Sequence, residues 1–258
     1  MTDNITKQKK HLKRAVKKKN SPLYNILMVI LIGIICYSGF NIGKIFYTYY
    51  AGSQAYEQVQ TLAGVKEEKE PENINFDTLL KENPDVKGWV YLKNSNINYP
   101  ILQAKDNAFY LRRLFNKEWN IKGSIFIDYR NTNPFESFNT VVYGHKVQDG
   151  TMFSQLAEYK DKNFYETHKN MTIYTPKIKY NVEIFGGVYL NANSDKYKFD
   201  FADDMEKSEF LKWIKNNSFI NTNVNVSPDD KIVMFSTCTE YEGEGRTAIF
   251  GKLKPAVM

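Results

Sequence analysis

A charge-free apolar segment near the amino terminus constrains this chain more than any other feature. Residues 23–43 read LYNILMVILIGIICYSGFNIG and are long enough to cross a bilayer as one helix. Eight lysines and arginines precede them within residues 1–20, where Asp3 is the single acid. Because such cations stay on the cytoplasmic side of a membrane, the sequence predicts a single-pass anchor with its amino terminus inside and the remaining chain outside.

A cleaved signal peptide is the main alternative for this segment. Its apolar core would span about 7–15 residues and end in a pattern of small residues. Here Tyr37, Phe40 and Asn41 lie near the end, and the aromatic stretch KIFYTYY follows from Lys44. An uncleaved anchor therefore fits better, and a buried helix of a globular domain fits poorly beside eight cations.

The basic character of the chain comes from its tail. The 258 residues carry a net charge of +6, but residues 1–20 alone contribute +7. The rest of the chain is therefore −1, which is close to neutral. Electrostatic capture of nucleic acid is accordingly not expected of the main body, and nucleic acid is not a predicted partner.

After the anchor, the composition changes from a polar stretch to a strand-rich domain. Residues 44–73 contain a Lys/Glu run before Pro71 and are expected to form a partly helical stalk. Beyond them, seven or eight short runs rich in Val, Ile, Tyr and Phe alternate with Asn, Asp and Gly turns. The pattern predicts a tail over 1–22, an anchor over 23–43, a stalk over 44–73 and a mainly β domain over 74–258, built as a barrel or sandwich with peripheral helices.

Two segments of this domain have helical patterns. Residues 203–217, DDMEKSEFLKWIKNN, carry acids in the first turn and apolar side chains near helical spacing, which predicts an amphipathic helix. Residues 75–85, NFDTLLKENPD, predict a short helix that stops at Asn83, because Pro84 disfavours helical backbone in the residue before it.

The two cysteines have different expected roles. Cys36 lies in the apolar segment, where a thiol is a small apolar filler. Cys238 is the only cysteine of the external domain, so it cannot form an internal disulfide. A leftover cysteine in an exported protein indicates intermolecular pairing or a reactive thiol.

Cys238 and two other residues at predicted strand ends could together form a site with a reactive thiol. His145 follows TVVYG, Cys238 follows IVMFST, and Arg246 opens the last strand after a short loop. A nearby imidazolium or guanidinium favours the thiolate, and the imidazole can later protonate a leaving amine. A fixed guanidinium can stabilise an oxyanion, and its planar fork suits this better than lysine. Each residue alone is more often a turn residue, a filler or a solvated charge; the combination favours cysteine catalysis.

The other candidate groups compete poorly. His11 is in the tail, and His168 is expected to be solvated. Glu240, Glu242 and Glu244 are expected to form a solvated loop. The spacing of His and Cys matches no metal motif, and neither a G-x-S-x-G elbow nor a glycine-rich phosphate loop occurs, so no metal or cofactor is predicted.

Around these residues the chain resembles class B sortases. The cysteine segment reads FSTCTEYEGEGR, and VVYGHKVQDGTMFSQL lies upstream of it. The segments NPDVKGWVYL, INYPILQAKDNAFYL and KGSIFIDYRN follow the order and spacing of the family. The resemblance extends from about Asn83 to Leu253, nearly the whole external domain.

The resemblance implies an eight-stranded sortase β-barrel, with the helix over 203–217 in the connection before the cysteine strand. It implies a cysteine transpeptidase of Gram-positive bacteria in which His145, Cys238 and Arg246 are catalytic. Asn107, Leu111 and Ser236 match positions that line the substrate groove. The usual Thr-Leu-Ser-Thr-Cys reads MFSTC here, and the changed Met234 and Phe235 are expected to affect substrate fit rather than the chemistry.

The implied reaction is cleavage of a carboxyl-terminal sorting motif, of the N-P-x-T-x type or a variant, after threonine. A thioacyl enzyme would then pass the secreted protein to an amine of peptidoglycan or its lipid-linked precursor. The enzyme would act at the outer face of the cell membrane, held there by its amino-terminal helix. Two alternatives remain: an extracellular Cys/His peptidase or hydrolase of wall peptides, and a non-catalytic, membrane-tethered β-domain.

Overall fold

The structure, a computed structural model, describes residues 22–65, 70–238 and 245–256. The first 21 residues of the tail and the acidic residues Glu240, Glu242 and Glu244 lie outside the described residues. The chain divides into two compact units, with the division between Tyr47 and Thr48.

A single helix, α1, runs from Pro22 to Leu62. Up to Tyr47 its apolar side chains are exposed, and by length and composition it could cross a membrane. From Thr48 the helix belongs to the second unit, where Gly52, Tyr56 and Val59 are buried. The helix therefore continues unbroken through much of the predicted stalk, and it ends where Gly64 adopts a positive φ of 73°.

Eight strands close into a barrel in the order β1-β2-β3-β4-β7-β8-β6-β5. The β2–β3 and β4–β7 pairs are parallel, and the other six neighbouring pairs are antiparallel. This confirms the predicted eight-stranded barrel. The strands are β1 Val86–Tyr91, β2 Asn98–Leu102, β3 Ile125–Ile127, β4 Asn139–Tyr143, β5 Asn170–Tyr174, β6 Lys179–Asn191, β7 Ile232–Cys238 and β8 Gly245–Ala256.

The described residues also form three shorter helices and two 3-10 helices outside the barrel strands. They are α2 Phe76–Glu82, α3 Lys162–Thr167 and α4 Asp204–Asn217, with 3-10 helices at Tyr110–Arg112 and Ser154–Lys160. The Asp203 carboxylate caps α4 by accepting a hydrogen bond from the backbone N–H of Glu206, which confirms the helix predicted there. Helix α2 ends at Asn83, in extended backbone before Pro84, as predicted.

The barrel interior is apolar and closely packed. Val90, Ile101, Ile125, Phe235 and Ile249 belong to one fully buried cluster. Removing this surface from water favours folding by roughly 25 cal/mol per Å² of apolar area. The packed interior therefore fixes the positions of the strand ends, and the predicted catalytic residues lie at or just beyond the ends of β4, β7 and β8.

Candidate active site

The strand pairing brings the three predicted catalytic positions to one end of the barrel. Strands β4 and β7 run parallel, with Tyr143 opposite Ser236. His145 and Cys238 each lie two residues further along, in the same direction. Strands β7 and β8 are antiparallel, and their register places Cys238 opposite Arg246. The predicted hairpin relationship between Cys238 and Arg246 is thus present in the backbone.

The His145 ring is held by the main chain. Its Nε2 lies 2.6 Å from the carbonyl oxygen of Leu111. A carbonyl oxygen only accepts hydrogen bonds, so Nε2 carries a hydrogen and Nδ1 is the nitrogen that gains or loses a proton. This contact answers a question the sequence left open, namely which group orients His145.

The electrostatic surroundings keep His145 mostly neutral at physiological pH. Burial lowers the pKa of His145 below its usual value. The hydrogen bond to Leu111 raises the pKa, but the positive charges of Arg112 and Arg246 lower it further. The ring therefore combines a protonated Nε2 with an Nδ1 lone pair that can accept a proton.

Arg246 lies at the start of β8, half-buried. Its Nη1 donates to the carbonyl oxygen of Gly245 over 2.8 Å, which folds the guanidinium back along its own strand. A guanidinium has five N–H donors in a planar fork, so one such group can bond to more than one acceptor.

A groove of about 560 Å³ lies over these strand ends. Five of the six predicted site residues line it: Asn107, Leu111, His145, Ser236 and Arg246. Thr237, the neighbour of Cys238 in β7, also lines it. The remaining lining residues are Phe126, Arg130, Tyr143, Gly144, Ala192, Asn193, Ser194, Asp195 and Tyr197. The part of the chain that the structure describes holds no cluster of three or more His, Cys, Asp or Glu suited to a metal ion.

Comparison with known proteins identifies the family. The sortase domain family matches residues 90–254. Sortase B from Staphylococcus aureus is 37% identical over 225 residues, which is 85% of this chain and 91% of the relative. Sortase B from Listeria monocytogenes is 35% identical over 245 residues, covering 92% of this chain and 98% of the relative.

This chain belongs to the sortase family. Among solved structures, a sortase B–substrate complex from S. aureus superposes with a TM-score of 0.68 at 33% identity, covering 79% of this chain and 93% of that one. Sortase B from Bacillus anthracis superposes with a TM-score of 0.74 at 32% identity, covering 82% and 100%. The chain is thus a class B sortase, a cysteine transpeptidase that anchors proteins to the cell wall.

Sequence reasoning missed a buried carboxylate beneath the sortase groove. Asp128 is fully buried and accepts hydrogen bonds from Arg130 Nε and Nη2, both at 2.9 Å, from Asn107 Nδ2 at 2.8 Å and from the Tyr143 hydroxyl at 3.0 Å. Burial raises the pKa of the Asp128 carboxyl, but these donors outweigh it and hold the pKa below its usual value. An acid inside the apolar run GSIFIDY, with an arginine two residues later, is the signal that could have revealed it.

The same carboxylate fixes the predicted groove residue Asn107. The Asn107 amide donates to Asp128, and its Oδ1 accepts from the backbone N–H of Tyr129 over 3.0 Å. Both ends of the amide are therefore engaged, which fixes the amide orientation and leaves one N–H for a ligand.

Tyr197 forms part of the opposite wall and was also missed. Its hydroxyl lies 2.9 Å from Ser236 Oγ, and its ring packs 5.7 Å from that of Tyr143. Tyr197 comes from the irregular connection between β6 and α4, where no sequence periodicity indicated a role. Ser236 thus reaches the groove already paired with a phenol.

Two expectations need correction. His168 was expected to be solvated, but it is half-buried and stacks on Phe164 with ring centroids 3.9 Å apart, outside the groove lining. Met234 and Phe235 were expected to affect substrate fit, but both are fully buried and neither lines the groove. The departure from the family's usual motif therefore changes packing on the two faces of β7.

Proposed function

We propose that this sortase cleaves a carboxyl-terminal sorting motif of the N-P-x-T-x type, or a variant, after its threonine. The observation that carries the proposal is the register that aligns His145, Cys238 and Arg246 on neighbouring strand ends beside one groove. The acyl group is then passed to an amine of peptidoglycan or its lipid-linked precursor.

In the first half-reaction, Nδ1 of the neutral His145 ring accepts the proton of the Cys238 thiol, and the resulting thiolate attacks the threonine carbonyl carbon. A carbon–sulfur bond forms, and the carbonyl electrons move to the oxygen, where the Arg246 guanidinium stabilises the negative charge. The carbon–nitrogen bond then breaks, and Nδ1–H of His145 protonates the departing amine. The hydrogen bond from Nε2 to Leu111 supports this direction of transfer, because it leaves Nδ1 as the exchangeable position.

The second half-reaction reverses these roles. The acceptor amine attacks the thioester carbonyl and forms a new amide bond. His145 Nδ1 accepts a proton from that amine, Cys238 leaves as a thiolate, and the proton then returns from Nδ1 to the sulfur. The lowered pKa of His145 suits this step, because a neutral imidazole must be available to take the proton.

Asn107, Leu111 and Ser236 are proposed to contact the sorting motif. All three line the groove, and Asn107 presents one unused amide N–H there. The superposition on a relative solved as a sortase B–substrate complex supports a peptide in this groove.

We further propose that the first part of α1 anchors the enzyme in the cell membrane as a single span, with the basic tail inside and the barrel outside. The apolar exposed surface of this part of α1 and the tail's positive charge support that orientation. Exported substrates held in the same membrane would then lie close to the enzyme.

The proposed transfer is tested by incubating the full chain in detergent with a sorting-motif peptide, with and without a glycine-peptide amine. Mass spectrometry is expected to show an amide-linked product only when the amine is present. Hydrolysis that ignores the added amine would contradict the transfer and favour the peptidase alternative. Full activity in Cys238→Ala would contradict the nucleophile.

A further inference from the structure

The Leu111 carbonyl that accepts the hydrogen bond from His145 lies close to the backbone of Gly123. Gly123 has a positive φ of 58°, which L side chains rarely adopt. A Cβ atom added at Gly123 would clash with the carbonyl oxygen of Leu111, the same oxygen that accepts from His145. The Leu111 carbonyl is therefore confined between the backbone of Gly123 and the catalytic ring.

The segment around Gly123 is hydrogen-bonded to the 3-10 helix that contains Leu111 and to the residue after that helix. The backbone N–H of Ser124 donates to Tyr110 over 3.0 Å, and the Ser124 hydroxyl donates to the carbonyl of Arg113 over 2.7 Å. The backbone N–H of Asn120 donates to the carbonyl of Arg112 over 3.0 Å. These bonds flank Leu111 on both sides, so a shift of residues 120–124 would move its carbonyl.

Helix α1 fixes this segment through Tyr56. The Tyr56 hydroxyl is buried, 2.6 Å from the carbonyl oxygen of Gly123 and 3.0 Å from Ser124 Oγ. Burial raises the pKa of Tyr56, so the hydroxyl keeps its proton and remains a donor. Its ring meets Tyr99 edge to face, with centroids 5.1 Å apart, which sets the direction of the hydroxyl.

A buried lysine makes a second connection from α1 to the loop that follows His145. Lys122 is 1% exposed, and its Nζ lies 2.7 Å from Ser53 Oγ and 2.6 Å from Asp149 Oδ2. Gly52 allows this approach, since a Cβ there would lie 3.1 Å from the Lys122 side chain. Through Tyr56 and Lys122, helix α1 is thus connected both to the segment 120–124 that supports Leu111 and to the loop after His145.

We propose that Tyr56 and Gly123 are positioning residues for His145: they hold the Leu111 carbonyl at the place where it fixes the ring with Nδ1 available for proton transfer. The membrane-proximal part of α1 is then a component of the active site and more than a spacer. The proposal rests on the proposed function in one respect, the role of His145 as proton donor.

Two substitutions test the chain of contacts without touching the groove. Tyr56→Phe removes only the hydroxyl, and Gly123→Ala pushes the Leu111 carbonyl toward the ring. Misplacement of a catalytic group by about 1 Å can cost about 100-fold in rate. We expect kcat to fall about 10- to 100-fold in both variants with little change in KM. Val59→Ala is the matched control, since Val59 is buried on the same helix but packs in a different cluster.

The decisive readout is the His145 ring itself, observed by nitrogen NMR of the full chain in detergent with labelled histidine. His145→Gln assigns the signal among the three histidines. We expect Tyr56→Phe to move the His145 ring signals and to lower kcat, whereas Val59→Ala lowers only the melting temperature. Tyr56→Phe with ring signals and kcat like those of Val59→Ala would overturn the proposal, and so would moved signals with unchanged kcat.

The catalytic role of His145 and the positioning role of Tyr56 can be contradicted separately. Full activity in His145→Ala would contradict the proposed function, whatever the Tyr56 variant does. Loss of activity in His145→Ala, together with an unaffected Tyr56→Phe, would overturn only the positioning role. If Gly123→Ala does not fold, the Tyr56→Phe result still decides.

Discussion

The imidazole of His145 donates from Nε2 to the main-chain carbonyl of Leu111 over 2.6 Å. This bond connects a proposed catalytic residue to a residue predicted to contact substrate, but through backbone instead of side chain. The Leu111 side chain remains 42% exposed and lines the groove. Leu111 therefore serves two purposes that mutation can separate.

Truncation of the Leu111 side chain is expected to weaken substrate binding and leave the proton transfer intact. Leu111→Ala keeps the carbonyl that holds His145, so KM for a sorting peptide should rise several-fold with kcat nearly unchanged. Steady-state kinetics measures both values. Met205→Ala, which removes an exposed apolar side chain from α4, should change neither. A fall in kcat without a rise in KM would contradict the side-chain role.

Removal of the Arg112 charge is expected to raise the pKa of His145. Arg112 lowers the pKa of His145, so Arg112→Gln should move it back toward the usual value of about 6.5. The acid limb of kcat/KM should then shift to higher pH, and the shift should shrink in high salt because Arg112 is exposed. An NMR titration of His145 measures the change directly. Arg113→Gln is the control, and an equal shift in both variants would contradict the assignment.

Arg246 is expected to be replaceable neither by alanine nor by lysine. Arg246→Ala should lower kcat about 10²- to 10³-fold, the usual cost of losing an oxyanion donor. Arg246→Lys keeps the charge but loses the planar fork, so most of the loss should remain. Circular dichroism should show both variants folded. Near-normal turnover in Arg246→Lys would indicate that charge alone is sufficient.

Phe235 is expected to affect stability and not substrate choice. Its ring meets Phe153 edge to face inside the barrel, with centroids 5.7 Å apart. Phe235→Ala should lower the free energy of unfolding by about 3–5 kcal/mol, because it opens a cavity in a packed core. Denaturant unfolding measures this loss. If the folded variant ranked sorting peptides differently, the result would show that Phe235, one of the two positions that depart from the family's motif, affects the groove.

The strand pattern was sufficient for a mainly β domain, because short β-branched or aromatic runs are bounded by turn residues, but it did not distinguish a barrel from a sandwich. The eight-stranded barrel was predicted by the resemblance to sortases. The sequence was sufficient for α4 because acids fill the first turn and apolar residues recur at helical spacing. Helix α1 extended further than its polar composition suggested. In the part of α1 that follows Tyr47, the buried residues are Gly52, Tyr56 and Val59. So few buried positions give no apolar pattern by which the sequence could distinguish a packed helix from a solvated stalk. A soluble form should therefore begin no later than Thr48.

The site was predictable only where side-chain identity carries the chemistry. His145 and Arg246 could be named from their chemistry, and Asn107, Leu111 and Ser236 from the resemblance to sortases. The structure brings these described residues to one groove. The roles of the Leu111 carbonyl and of Gly123 could not be predicted, because residue type does not show which main-chain groups are in contact. Asp128 and Tyr197 depend on long-range packing, which periodicity does not report.

In the proposed reaction, Cys238 carries the acyl group as a thioester. Intact-mass spectrometry of the full chain, quenched in acid soon after mixing with a sorting peptide, tests it most directly. We predict an adduct equal to the peptide up to its threonine, mapped to Cys238 and removed by an added amine. An adduct that persists in Cys238→Ala, or cleavage of the peptide with no adduct under any quench time, would contradict the account.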